Sequence, residues 1–114
     1  MRNDIYQKLI EVARSQKLIS YSDLNAKLNL GLDFSLDRDR ALIGEWLGEI
    51  SHKEVEAGRH LLSALVGHAE GGMVQEPGDG FYEYAQTLGV YQGGDDLGFW
   101  AREVKCLHEY WSSH

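Results

Sequence analysis

Residues 61–67, LLSALVG, form an apolar run enclosed by two histidines. The run is shorter than most helices and is apolar at both alternating sets of positions, which is typical of a strand covered on both faces. In that geometry Ser63 shares a face with Leu61 and Leu65, so we expect its hydroxyl to bond to the backbone. The run therefore predicts a buried strand around which the domain packs.

The residues after this run predict a hairpin. Residues 68–80 are rich in glycine and acidic residues, as in a loop, and Met73 and Val74 interrupt them as a candidate return strand. Two short apolar segments joined by a glycine-containing loop favour an antiparallel hairpin. We therefore expect residues 61–67 to pair with residues 73–74.

Five other segments have the apolar spacing of amphipathic helices. The predicted helices span residues 3–16, 22–31, 37–58, 81–88 and 95–111. Their candidate N-terminal capping residues are Ser22, Asp37, Asp79 and Asp95. In the third helix Gly44 and Gly48 lie one turn apart, which lowers helix propensity but allows another element to approach closely.

The order of these elements predicts a mostly helical α+β fold. Three helices precede the small β-hairpin and two C-terminal helices follow it, and the first part of this order is that of a winged helix. The length of 114 residues fits a single domain, residues 1–114.

Composition limits the classes of function. The chain has 43% hydrophobic and 25% charged residues, near globular averages, and a net charge of -7. Acidic charge disfavours nucleic acid as a partner, because Lys and Arg must neutralise phosphates. There is no apolar run of about 20 residues and no signal-peptide core, and the single cysteine, Cys106, fits a reducing compartment. We therefore expect a cytoplasmic protein that does not engage a membrane.

Residues 18–24, LISYSDL, with the helix and the apolar run that follow, resemble the DNA-binding half of alkylguanine-alkyltransferases and their cysteine-free alkyltransferase-like relatives. The resemblance covers roughly residues 5–80 and implies a winged-helix domain. It does not extend to the chemistry. The Pro-Cys-His-Arg segment of that family has no counterpart here, and Cys106 lies in the last predicted helix.

A second resemblance covers most of the chain. The patterns EIS..E...GR.LLSALV at residues 49–66 and PGDGF at residues 77–81 are similar to those of small bacterial proteins, some of them carried on mobile gene cassettes. The resemblance implies membership of that family and no particular activity.

One helical face carries residues that could hold a metal. Glu45, Glu49, His52 and Glu56 recur at spacings of four, three and four, and Glu-x-x-His is the spacing of di-metal sites in helical bundles. Such a site needs further carboxylates from other helices, and a solvated outer face explains the same residues. We predict no metal and no cofactor.

The remaining candidates surround the apolar run and the PGDGF loop. Ser63 lacks the Gly-x-Ser-x-Gly turn of a nucleophile, so we predict no catalytic residue. A pocket between the hairpin, the loop and the last helix would place ligand- or partner-binding groups together. The candidates are Glu49, His52, Arg59, His68, Asp79 and Tyr82.

These features favour a non-enzymatic interaction or adaptor module that binds a protein partner or itself. The aromatic residues, three Trp, six Tyr and three Phe, supply material for an interface. Two alternatives stay open at this point. One is a winged-helix-like nucleic-acid binder, and the other is a small ligand-binding protein or enzyme with a pocket near the PGDGF loop.

Overall fold

The computed structural model describes residues 1–114 and contains all five predicted helices. The elements in chain order are α1 Asn3–Arg14, β1 Ile19–Ser20, α2 Tyr21–Lys27, α3 Asp37–Glu56, a 3₁₀ helix Leu62–Leu65, β2 Val66–Gly67, β3 Ala69–Glu70, β4 Met73–Val74, α4 Asp79–Thr87 and α5 Asp96–Trp111. The predicted mostly helical α+β class is confirmed. None of the helices combines the length and apolarity needed to cross a bilayer.

The prediction of a strand over residues 61–67, which we call the central segment, is wrong for most of its length. The segment forms the 3₁₀ helix and then β2, and all seven residues are buried. The 3₁₀ helix packs against α1, α3 and α5. Because the segment is enclosed on all sides, its apolar residues fall on every face whatever the backbone conformation, and the pattern has no period that separates a strand from a helical turn.

The strand pairing also differs from the prediction. β2 pairs in parallel with β1, with Ile19 opposite Val66 and Ser20 opposite Gly67. The antiparallel hairpin joins β3 to β4 instead, and residues 73–74 therefore return along residues 69–70 rather than along the central segment. The hairpin is short and mostly exposed.

Of the four predicted N-terminal capping residues, one caps its helix in the structure. Asp95 accepts a hydrogen bond from the Gly98 amide at 3.0 Å, as predicted. The cap of α2 is Ser20 rather than Ser22, because β1 runs directly into the helix. Asp37 and Asp79 are the first residues of α3 and α4 and cap neither helix with a side-chain hydrogen bond.

Polar contacts fix the central segment to α5. The carboxylate of Glu103, itself buried, accepts a hydrogen bond from the Leu61 amide at 3.2 Å and pairs with Nδ1 of His60 at 2.7 Å. The indole N–H of Trp100 donates to the carbonyl of Ala64 at 2.8 Å. These bonds supply backbone partners that a 3₁₀ helix of four residues does not supply for itself.

A second buried carboxylate fixes the end of α3. Glu54 has no exposed surface, and Arg59 binds both of its oxygens, through Nε and, at 3.2 Å, through Nη2. The same Nη2 donates to the Tyr6 hydroxyl on α1 at 3.4 Å. Burial is the main reason that the pKa of Tyr6 lies above its usual value. Arg59 is therefore a structural residue that joins the turn after α3 to α1.

Candidate functional site

A cleft of about 700 Å³ lies between α3 and α4, and we call it the α3–α4 cleft. Residues from α2, the loop before α3, the central segment and the start of the hairpin complete its walls. Its lining residues are Tyr21, Ser22, Phe34, Arg40, Ile43, Gly44, Leu47, Gly48, Ser51, Leu61, Ser63, Gly67, His68, Ala69, Gly78, Gly80, Phe81, Tyr84 and Ala85.

The two glycines of α3 have different roles in this cleft. A Cβ atom added to Gly48 would lie 3.4 Å from the Tyr84 ring, so the glycine permits α4 to pack closely, as its sequence position predicts. A Cβ atom added to Gly44 would meet nothing within 4 Å. The missing side chain at position 44 therefore adds open space to the cleft instead of allowing contact.

Two buried serines lie on the inner wall. The hydroxyls of Ser51 on α3 and Ser63 in the central segment are 2.6 Å apart and bond each other. The expected backbone partner for Ser63 is therefore wrong, because the 3₁₀ conformation turns its side chain to α3. One hydroxyl donates to the other, and either oxygen can be the donor.

Tyr21 and His68 bring the PGDGF loop to the opposite wall. The Tyr21 hydroxyl accepts a hydrogen bond from the Gly78 amide at 3.4 Å, and its ring lies 5.1 Å from the imidazole of His68. A Cβ atom added to Gly78 would lie 3.4 Å from Nε2 of His68, so the imidazole lies against the loop. Burial raises the pKa of Tyr21, and the bond from Gly78 lowers it in part. The loop is thus part of the cleft wall.

The side chains that line the cleft are basic or uncharged. Arg40 and His68 are its titratable basic residues, and neither Asp nor Glu lines it. Arg40 is half-exposed and is held by the Phe34 carbonyl and the Asp37 carboxylate. The chain carries 18 acidic residues among 114, so 19 lining residues would include about three at the average proportion. The cleft is therefore depleted of negative charge.

The structure places one of the six predicted binding residues, His68, in the cleft. Glu49 and His52 are exposed on the outer face of α3, where Glu49 pairs with the N-terminal amine at 3.6 Å and His52 with Glu56 at 3.0 Å. Arg59 binds Glu54.

The other two predicted residues flank the cleft without lining it. Asp79 is exposed at the first position of α4, between two glycines that do line the cleft. Tyr82 is buried and donates a hydrogen bond to Glu76 at 3.1 Å. The predicted location of the pocket is also corrected, since α3 rather than the last helix forms the wall facing the loop.

Sequence reasoning missed the wall residues Arg40, Ser51 and Tyr84 as a group. Ile43, Gly44, Leu47 and Ser51 follow each other at spacings of one, three and four along α3, so they share a face with helical periodicity. That spacing could have indicated a face of α3 on which the small residues Gly44 and Ser51 lie beside the apolar residues Ile43 and Leu47. It could not have shown which element lies opposite.

No group of three or more His, Cys, Asp or Glu side chains could hold a metal ion. No family model, curated protein or solved structure matches the chain. The α3–α4 cleft is therefore the feature of this chain that bears most directly on function.

Proposed function

We propose that this protein is a non-catalytic binding module that takes a small, largely apolar molecule in the α3–α4 cleft. The observation that carries the proposal is the open space in front of Gly44 within a cleft of about 700 Å³. Binding sites for small molecules typically have volumes of roughly 300–1,000 Å³, apolar walls and few polar groups. The side chains of Ile43, Leu47 and Phe81 supply such walls.

The polar groups of the cleft support binding rather than covalent catalysis. A serine nucleophile needs a base within hydrogen-bond reach. Ser51 and Ser63 bond each other, and neither hydroxyl bonds a histidine. The Tyr21 pKa is raised, so this hydroxyl is neutral at physiological pH.

The proposal is compatible with the predicted winged-helix-like arrangement and with a protein partner. The order of the elements, three helices followed by the β3–β4 hairpin, supports a winged-helix-like arrangement. The net charge of the chain, -7, argues against a nucleic-acid partner. A protein partner or a second copy stays a prediction, and the exposed Met73 on the hairpin is a position where such a contact could form.

Filling the cleft at Gly44 tests the proposal. N-phenyl-1-naphthylamine, an uncharged dye whose fluorescence rises in apolar surroundings, is the probe. We expect Gly44→Leu to weaken its binding by about tenfold or more, which corresponds to about 1.4 kcal/mol, because the new side chain occupies ligand volume. Leucine in place of a helix-interior glycine is expected to raise stability by up to about 1 kcal/mol, so lost binding would not reflect unfolding.

The control is Gln7→Leu, which adds the same side chain to the exposed face of α1. We expect this variant to bind the dye as the wild type does. Equal dye affinity in the wild type and Gly44→Leu, or no binding by the wild type, would overturn the proposal.

A further inference from the structure

We infer that the natural ligand of the α3–α4 cleft is an amphipathic monocarboxylate, with an aliphatic or aromatic body and its carboxylate at Arg40 and His68. This inference rests on the proposed function, and it specifies the chemical class of the ligand. The observations that carry it are the absence of lining carboxylates in a strongly acidic chain and the position of two basic side chains on one apolar cleft.

Arg40 has unused capacity to bind an anion. A guanidinium carries five N–H donors in a planar fork that matches a carboxylate. In this chain the Nη1 donor goes to the Phe34 carbonyl and Nη2 to Asp37, which leaves other donors free. The remaining donors can therefore bind an anionic group of a ligand that occupies the cleft.

The existing partner of Arg40 does not block this role. The Asp37 side chain is 95% exposed and that of Arg40 is 51% exposed. Ion pairs between exposed side chains contribute only about 0–1 kcal/mol, because water screens the charges. A ligand whose apolar body is already bound in the cleft can therefore share the guanidinium or displace Asp37.

His68 is the second basic side chain of the cleft. Its ring is exposed and lies between Tyr21 and Gly78, and no protein group bonds either ring nitrogen. A neutral imidazole has one N–H to donate and a protonated one has two. The nearby carboxylates of the loop do not compete, since Glu76 accepts a bond from Tyr82 and neither Glu76 nor Asp79 lines the cleft.

A matched pair of probes tests the inference in the full-length chain. Decanoate and 1-decanol have the same chain length and differ in charge, and each would displace N-phenyl-1-naphthylamine from the cleft. We expect decanoate to bind the wild type about tenfold more tightly than decanol, because hydrogen bonds to charged groups are the stronger ones. Added salt should reduce this preference, since the cleft mouth is exposed to solvent.

Substitutions at the mouth sharpen the test. Arg40→Met should remove most of the preference for decanoate while leaving decanol binding unchanged. Arg38→Met is the matched control, because Arg38 is 83% exposed and does not line the cleft. Asp37→Asn should have the opposite effect and strengthen decanoate binding, since it removes the competing carboxylate. His68→Gln should reduce the preference only in part.

The outcomes distinguish failure of the monocarboxylate inference from failure of the proposed function. Equal displacement by decanoate and decanol would overturn the inference and leave the proposed function standing. A preference lost in Ser51→Ala but kept in Arg40→Met would place the head group at the inner wall and also overturn the inference. Failure of the dye itself to bind would overturn both.

Discussion

The Arg59→Met variant is expected to be about 3–5 kcal/mol less stable than the wild type, because it leaves the buried Glu54 carboxylate without its cation. Glu54 has no exposed surface, and Arg59 bonds both of its oxygens as well as the Tyr6 hydroxyl. Domains of this size have unfolding free energies of only about 5–15 kcal/mol. Urea denaturation at neutral pH measures the loss.

The double variant Arg59→Met, Glu54→Met distinguishes the cause. It removes both charges and fills the site with apolar groups of similar length, so we expect it to be more stable than Arg59→Met alone. If the double variant were no more stable than Arg59→Met, an unpaired buried charge would not be the cause of the loss.

Alanine at position 67 is expected to cost about 3 kcal/mol, at the upper end of the usual overpacking range. A Cβ atom on Gly67 would lie 1.8 Å from the carbonyl oxygen of Gln75, which is far inside van der Waals contact. Both groups belong to backbone segments, and Gly67 is held in register opposite Ser20. The added methyl group must therefore displace either β2 or the chain that leads into the PGDGF loop.

Gly80→Ala is the matched control for this substitution. Its added Cβ meets nothing within 4 Å, and the residue lies in α4, so we expect equal or slightly higher stability. Thermal unfolding of both variants gives the comparison. A Gly67→Ala chain as stable as Gly80→Ala would contradict the close approach of residues 67 and 75.

The helices were the most predictable part of this fold. α1 and α5 each bury a stripe with helical spacing, and Asp95 caps α5, so pattern and capping gave bounds within two residues. The central segment was not predictable in this way, because its apolar residues fall on every face and show no period. Its parallel pairing with β1 joins residues 47 positions apart, and no local signal reports that contact.

The buried ion pair between Glu54 and Arg59 was also not predicted from the sequence. Glu54 follows Leu47 and Ile50 on the buried side of α3, so its spacing placed it on the apolar stripe. Its partner Arg59 lies beyond the end of α3, so helical spacing does not predict that the two residues pair. For this reason Arg59 was expected at a binding site, whereas the structure uses it to neutralise Glu54.

The candidate site was predictable only in part. The PGDGF loop and His68 were expected together and do share the cleft wall. The opposite wall was expected from α5, but the small side chains of α3 leave the space that α4 then borders. Which helix faces the loop depends on the packing of the whole domain, and one helix's pattern does not determine it.

The most direct test of binding in the α3–α4 cleft is a two-dimensional ¹⁵N–¹H NMR titration with N-phenyl-1-naphthylamine, in which the glycine amide signals are followed. Of the chain's 13 glycines, five line the α3–α4 cleft, namely Gly44, Gly48, Gly67, Gly78 and Gly80. We predict that the largest dye-dependent shifts fall on these five, and that Gly58, Gly93 and Gly94 stay unchanged. Shifts centred on glycines outside the cleft, or no shifts at saturating dye, would contradict the cleft as the binding site.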